Sequence, residues 1–127
     1  MNVKIDTKEK FSVITFNDSI ISANMSDELQ KLLQSFQISP IPHLVLNMSL
    51  VKEIETSMLE MIVEKQQIFY NENYSFVICA LPSEVLSQLT ELDLLDAMNV
   101  TPTESEAWDI VQMEEIEREL LGGFENN

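Results

Sequence analysis

Glycine is nearly missing from this sequence: Gly122 and Gly123 are the only two in 127 residues, and both stand near the carboxyl terminus. Glycine-rich nucleotide cradles need glycines where the backbone approaches phosphate, so they are excluded. Histidine occurs once, as His43. No two-histidine metal site can be built, and a place beside Pro42 at a strand start predicts a structural or exposed ring. The single cysteine, Cys79, cannot form an internal disulfide, and its position in the apolar run Phe76-Val77-Ile78-Cys79-Ala80 predicts a buried, inert thiol. Basic residues are scarce as well. Seven of them face 22 acids, and the net charge of -15 repels phosphate backbones and anionic membrane surfaces, which argues against nucleic acid and lipid as partners. No run approaches the ~18 apolar residues of a membrane span, and Met1 to Asp6 lacks the apolar stretch of a signal peptide. Direct membrane insertion is not expected, and a cytoplasmic location is.

What the chain does have is enough apolar content, 45%, to build one core without metal or disulfides. Its charge is uneven: Met1 to Leu50 holds five acids and four lysines, whereas Val51 to Asn127 holds seventeen acids against Lys52, Lys65 and Arg118. Val3, Ile5 and Thr7 alternate with polar neighbours, and Phe11 to Phe16 is again β-rich, so the chain should open on a hairpin turning at Lys8-Glu9-Lys10. Ser26 is placed to cap a helix in which Leu29, Leu32, Leu33 and Phe36 share a face. Pro40 and Pro42 break the chain before His43 to Met48, a short, nearly continuous apolar run expected mid-sheet with both faces covered. A helix from about Ser57 to Tyr70 should bury Leu59, Ile62, Val63 and Phe69, and Asn71-Glu72-Asn73 should turn it into a strand at Tyr74 to Ala80. A short helix with Val85, Leu86 and Leu89, a weak strand near Ala97 to Val100, and a last helix follow. In that helix Ala107, Ile110, Met113, Ile116 and Leu120 are expected to form a buried stripe, with Gly122 and Gly123 as its stop. This order predicts a single α/β domain over residues 1–121, a mixed four- to five-stranded sheet packed against about four helices, and a flexible tail at 122–127.

Catalytic chemistry finds little footing. The acidic pairs Glu53/Glu55 and Asp93/Asp96 lack a calcium-loop glycine and read as solvated surface, and Trp108, Tyr70 and Tyr74 read as packing groups. No catalytic residue, metal ligand or cofactor site is predicted. The informative stretch is Glu53-Ile54-Glu55-Thr56-Ser57-Met58-Leu59, between a central strand and a helix start, where backbone N–H groups are unpaired and the dipole favours negative charge. Ser57 and Glu60 fit a capping box, and on the plainest reading Thr56 and Ser57 only cap the helix.

The order of elements together with these residues resembles the STAS domain family, the class of anti-sigma-factor antagonists. In that family a strand ending in Asn or Asp precedes an Asp-Ser-Ser-Gly-Leu segment at a helix start. His43-Leu44-Val45-Leu46-Asn47 matches the strand, and Ile54-Glu55-Thr56-Ser57-Met58-Leu59 occupies the motif's place, with the likeness extending through Ala107. The resemblance puts the family's phosphorylated serine on Thr56, with Ser57 as the adjacent hydroxyl. Glu55 keeps the motif's charge but moves its carboxylate, Met58 replaces the motif glycine, Asp93 replaces a glycine before the last strand, and Ser22 stands where an early aspartate is expected. It implies a non-enzymatic, protein-binding regulator in a partner-switching circuit, with an anti-sigma factor or serine/threonine kinase as partner. Its docking face would comprise Ser22, Glu55, Thr56, Ser57, Met58 and Met61, with both methionines alternatively core fillers. Two other readings stay open: a scaffold or transport-complex subunit of the same fold without phospho-switching, and a small ligand-binding domain. The acidic segment from Glu104 onward extends past the family domain's usual end. It is expected to pack as a helix with its carboxylates in water, and a homodimer contact or a frayed acidic helix there both stay open.

Overall fold

Alternation with period two sets the middle of the molecule, because three neighbouring strands send alternate side chains to two different cores. The computed structural model describes residues 1–125. Strand β1 (Val3–Thr7) turns back antiparallel onto β2 (Ser12–Phe16), and Lys8 N–H donates to the Phe11 carbonyl at 2.8 Å to close the turn. After a two-residue strand β3 (Ile20–Ile21), a short 3-10 helix (Ala23–Met25) leads into α1 (Ser26–Gln37). There follow β4 (Leu44–Asn47), a two-residue β5 (Glu53–Ile54), α2 (Thr56–Asn71), β6 (Phe76–Cys79), α3 (Ser83–Glu91), β7 (Val100–Thr101) and α4 (Glu104–Glu125). The main sheet has the order β1-β2-β4-β6-β7, with β2, β4, β6 and β7 mutually parallel, so β4 is central as its apolar run requires. β3 and β5 form a separate parallel pair.

Ile14, Phe16, Leu44, Leu46, Phe76 and Ile78 face the larger core under α1, α2 and α3. Val13, Val45, Val77 and Cys79 face the other way, against Ala107 and Val111 of α4. Leu29, Leu33 and Phe36 of α1 are buried, with Leu32 half-buried beside them. In α2 the inward residues are Met58, Leu59, Ile62, Gln66 and Phe69; Val63, expected among them, is half-buried.

With so little glycine, helix ends fall to other residues. Asn73 (φ 67°) follows the end of α2, where its N–H reaches the Tyr70 carbonyl (3.0 Å) and Tyr74 N–H the Phe69 carbonyl (2.8 Å). Asp93 (φ 56°) does the same after α3, with bonds from its own N–H to Thr90 and from Leu94 N–H to Leu89 (3.1 and 3.0 Å). Both are Schellman closures, and the aspartate adopts the left-handed backbone that a glycine would favour.

Several expectations are corrected. Ser26 does not cap α1: the chain enters already turning, the Ser26 N–H bonds to the Ala23 carbonyl, and its hydroxyl accepts from the Gln30 side chain (3.0 Å). The strand expected over Tyr74 to Ala80 is shorter, because Tyr74 closes α2 and Ala80, at φ 59°, turns the chain away. Near Ala97 a 3-10 turn (Leu95–Ala97) stands where a strand was expected, and only Val100 and Thr101 pair with β6. The buried stripe of α4 is the largest departure. Three successive steps of three residues carry 107, 110, 113 and 116 halfway round a helix of about 3.6 residues per turn. Ala107 faces the sheet, whereas Met113, Ile116 and Leu120 are 55%, 56% and 60% exposed. Gly122 and Gly123 do not stop α4, which runs to Glu125; the last two residues of the expected tail lie outside the described residues. No helix among the described residues is long and apolar enough to cross a membrane.

Candidate functional site

The segment before α2 is fastened from three directions. From the strand side, Asn47 at the end of β4 accepts the Ser49 N–H on Oδ1 (2.9 Å), and Val51 N–H returns to the Met48 carbonyl (3.0 Å). From β3 and the residue before it, the Ser19 carbonyl accepts Lys52 N–H (2.7 Å) and the Ile21 carbonyl accepts Glu55 N–H (2.9 Å). From α3, Gln88 brackets the Ile54 peptide, its Nε2 donating to the Ile54 carbonyl (2.7 Å) and its Oε1 accepting the Ile54 N–H (3.5 Å). The Val51 and Ile54 side chains are fully buried beneath. Glu55, extended at φ -64° and ψ 143°, is then the N-cap position, and α2 begins at Thr56.

This start, one residue earlier than expected, rearranges the roles. Ser57 lies inside the first turn, no side chain caps the helix, and the capping box of Ser57 with Glu60 is not formed. The Glu55 carbonyl accepts Met58 N–H (2.9 Å) and Leu59 N–H (3.2 Å) as the helix opens. Glu53, Glu55, Thr56, Ser57 and Glu60 are exposed, an outward face of two hydroxyls and three carboxylates. Met58 is 1% exposed and belongs to the core with Leu59, and Met61 is half-buried against the same core. The register of α2 thus turns Met58 inward as a core filler and removes it from the docking face, while Met61 keeps part of its surface outward.

The parallel pairing of Ile21 with Ile54 sends Ser22 and Glu55 out of β3 and β5 at the same end, so Ser22 joins the Thr56 neighbourhood. Ile20, exposed and paired with Glu53, adds an apolar point to this face. Sequence reasoning missed both Ile20 and the Gln88 clamp, because strands of two residues carry no periodicity.

Burial pushes the Cys79 thiol up to about 11, with Glu104 adding to the effect, so it is a poor nucleophile at neutral pH. Burial, helped by Arg118 and opposed by Glu115, holds His43 below its usual value, and the neutral ring accepts the Ser75 N–H on Nδ1 (3.0 Å). Glu53 and Glu55 stand in solvent, and among the described residues no group of three or more His, Cys, Asp or Glu could hold a metal ion.

The STAS domain model matches residues 2–107. A search of curated proteins gave no match. Among solved structures, an anti-sigma-factor antagonist (STAS) domain protein from Planctomyces limnophilus superposes with a TM-score of 0.73 at 14% identity, over 87% of this chain and 97% of its own. An anti-sigma factor antagonist from Mycobacterium paratuberculosis gives 0.71 at 16% identity, over 87% and 93%. The anti-sigma factor antagonist SpoIIAA in its unphosphorylated form gives 0.69 at 12% identity, over 87% and 96%. At these identities the structures speak for the fold, and the match over residues 2–107 speaks for descent: the chain belongs to the STAS domain family.

Proposed function

We propose that this domain regulates by docking to another protein, in the manner of an anti-sigma-factor antagonist in a partner-switching circuit, and that phosphorylation of Thr56 gates the docking. STAS domains are regulatory and scaffolding modules rather than catalysts. The observation that carries the reading is the exposed Thr56 at the first turn of α2, on a segment pinned by β3, α3 and two buried side chains. A rigid platform presents the same surface each time a partner arrives, and little ordering entropy opposes binding.

A phosphoryl group on Thr56 would add roughly -1.5 to -2 charges. Inside the domain the unpaired N–H groups of the first turn favour that charge. Outward, it joins the carboxylates of Glu53, Glu55 and Glu60, and a partner surface fitted to a neutral hydroxyl is repelled. Ser22 and Ile20 extend the same docking face, and Ser57 is the second hydroxyl a kinase would meet.

The test is affinity isolation from the native cell with wild type, Thr56→Ala and Thr56→Glu, combined with the mass of the Thr56 peptide. The expected result is a partner kept by wild type and Thr56→Ala but weakened at least about tenfold by Thr56→Glu. Phosphoryl mass should appear on the unbound fraction. A partner held equally by all three, with Thr56 unmodified, would favour the scaffold or transport-complex reading instead.

A further inference from the structure

At Asn99 the β6–β7 ladder stops early, and a groove opens beside it. Ile78 N–H bonds to the Asn99 carbonyl (2.9 Å), but where the next rung would join Asn99 N–H to the Phe76 carbonyl, the Gln66 amide stands between them. Past this splayed edge, α2 and α4 approach from opposite faces of the sheet and enclose about 460 Å³. Tyr70 and Tyr74 form one wall, Ile110 and Met113 the other.

The charged groups lining the groove are all acidic. Asp96, Glu114 and Glu117 line the groove, and no lysine or arginine does; Arg118 on the same helix donates to the Ser75 hydroxyl (3.0 Å). Glu114 Oε2 accepts from the Asn99 side chain (3.4 Å), while Glu114 Oε1 is buried and has no hydrogen-bond partner among the described residues. A carboxylate oxygen so placed is costly until a donor reaches it, and a guanidinium can both donate to it and stack on a tyrosine face.

The groove also runs into the outward face of α4. Met113, which lines it, begins the exposed stripe Met113, Ile116, Leu120 at i, i+3 and i+7, with Glu117 and Glu119 on its flanks. That is the spacing at which one helix accepts another. A second copy would set these glutamates against their own counterparts, so the charge selects a basic occupant.

We propose that the groove and stripe dock a basic amphipathic helix of a partner protein, one of whose arginines enters the groove against Glu114. The surface lies about 20 Å along α2 from Thr56, at 1.5 Å per residue, and its occupancy is independent of the phosphorylation reading.

A labelled synthetic helix of about five turns, with a leucine stripe flanked by arginines, is the probe. Fluorescence anisotropy should give saturable binding to the full chain. Glu114→Gln, the exposed-site variant Glu117→Gln, the Ile116→Gln/Leu120→Gln double variant and replacement of the arginines by citrulline should each weaken it about tenfold or more. Circular dichroism checks that each variant folds, and Glu117→Gln carries the charge test if Glu114→Gln does not. The proposal is overturned by no binding, by equal binding of a shuffled peptide of the same composition, or by indifference to the glutamate variants. It is equally overturned if free arginine amide competes as well as the peptide, or if the chain self-associates through a surface that Ile116→Gln/Leu120→Gln abolishes.

Discussion

Gln66 holds together three elements that no local rule connects. Its Nε2 donates to the carbonyls of Phe76 (3.0 Å) and Asn99 (3.1 Å), and its Oε1 accepts the Asn99 N–H (3.4 Å), all in a position where the side chain is buried. Replacing it with leucine would leave the Phe76 carbonyl and the Asn99 N–H without their partner, while the Asn99 carbonyl would keep the Ile78 N–H. We expect Gln66→Leu to cost about 2–3 kcal/mol, read as a lower urea midpoint with an unchanged slope. The sequence could not announce this role. Gln66 is a polar residue four after Ile62 and three before Phe69, on the buried face of α2, but its partners come from strands folded against it later in the chain. Met58 was misleading for a related reason: hydrophobicity says that it wants cover, and only the register of α2 says which side supplies it. Thr56, Ser57 and Glu55 were legible as a helix start from Asn47 and the apolar run before it, because strand, turn and helix are adjacent in sequence.

At the scale of elements, periodicity was a sound guide where an element is long and packs on one face. The opening hairpin, α1 and the central β4 follow from residue spacing alone, since each repeats its pattern over at least one full cycle. β3 and β5 do not, being two residues each, and they are held by Ile21 and Glu55 meeting across the chain. Capping illustrates the limit as well. Serines stand near both helix starts, yet α1 is entered through a 3-10 turn and α2 from an extended Glu55, and neither helix has a side-chain cap. A real serine cap would be worth about 1 kcal/mol. Ser26→Ala and Ser57→Ala should therefore each change stability by less than about 0.5 kcal/mol in denaturant melts. A loss near the full capping value for either would contradict the geometry.

Over the whole molecule, charge is the term least balanced. Among the described residues only two ion pairs form, Lys8 with Asp6 (2.9 Å) and the amino terminus with Glu28 (3.6 Å), against a net charge of -15. Self-repulsion on this scale opposes the compact state and weakens as salt shortens the Debye length to about 10 Å at 0.1 M. The thermal midpoint should climb by several degrees between low salt and about 0.5 M sodium chloride, with sodium sulfate and sodium chloride compared at equal ionic strength to separate screening from exclusion effects. A flat response would mean that the unfolded chain is as strongly self-repelling as the folded one.

The outer strands of the main sheet have a further consequence. On one side β7 offers only Val100 and Thr101, and on the other β1 carries Lys4 and Asp6 among mostly exposed residues. Neither border presents a long, flat, uncharged row of free amides and carbonyls on which a foreign strand could extend the sheet. A parallel sheet is slow to assemble and leaves its borders bare while it does so. Short and charged borders keep such a fold from templating fibrils, whichever partner its helices later engage.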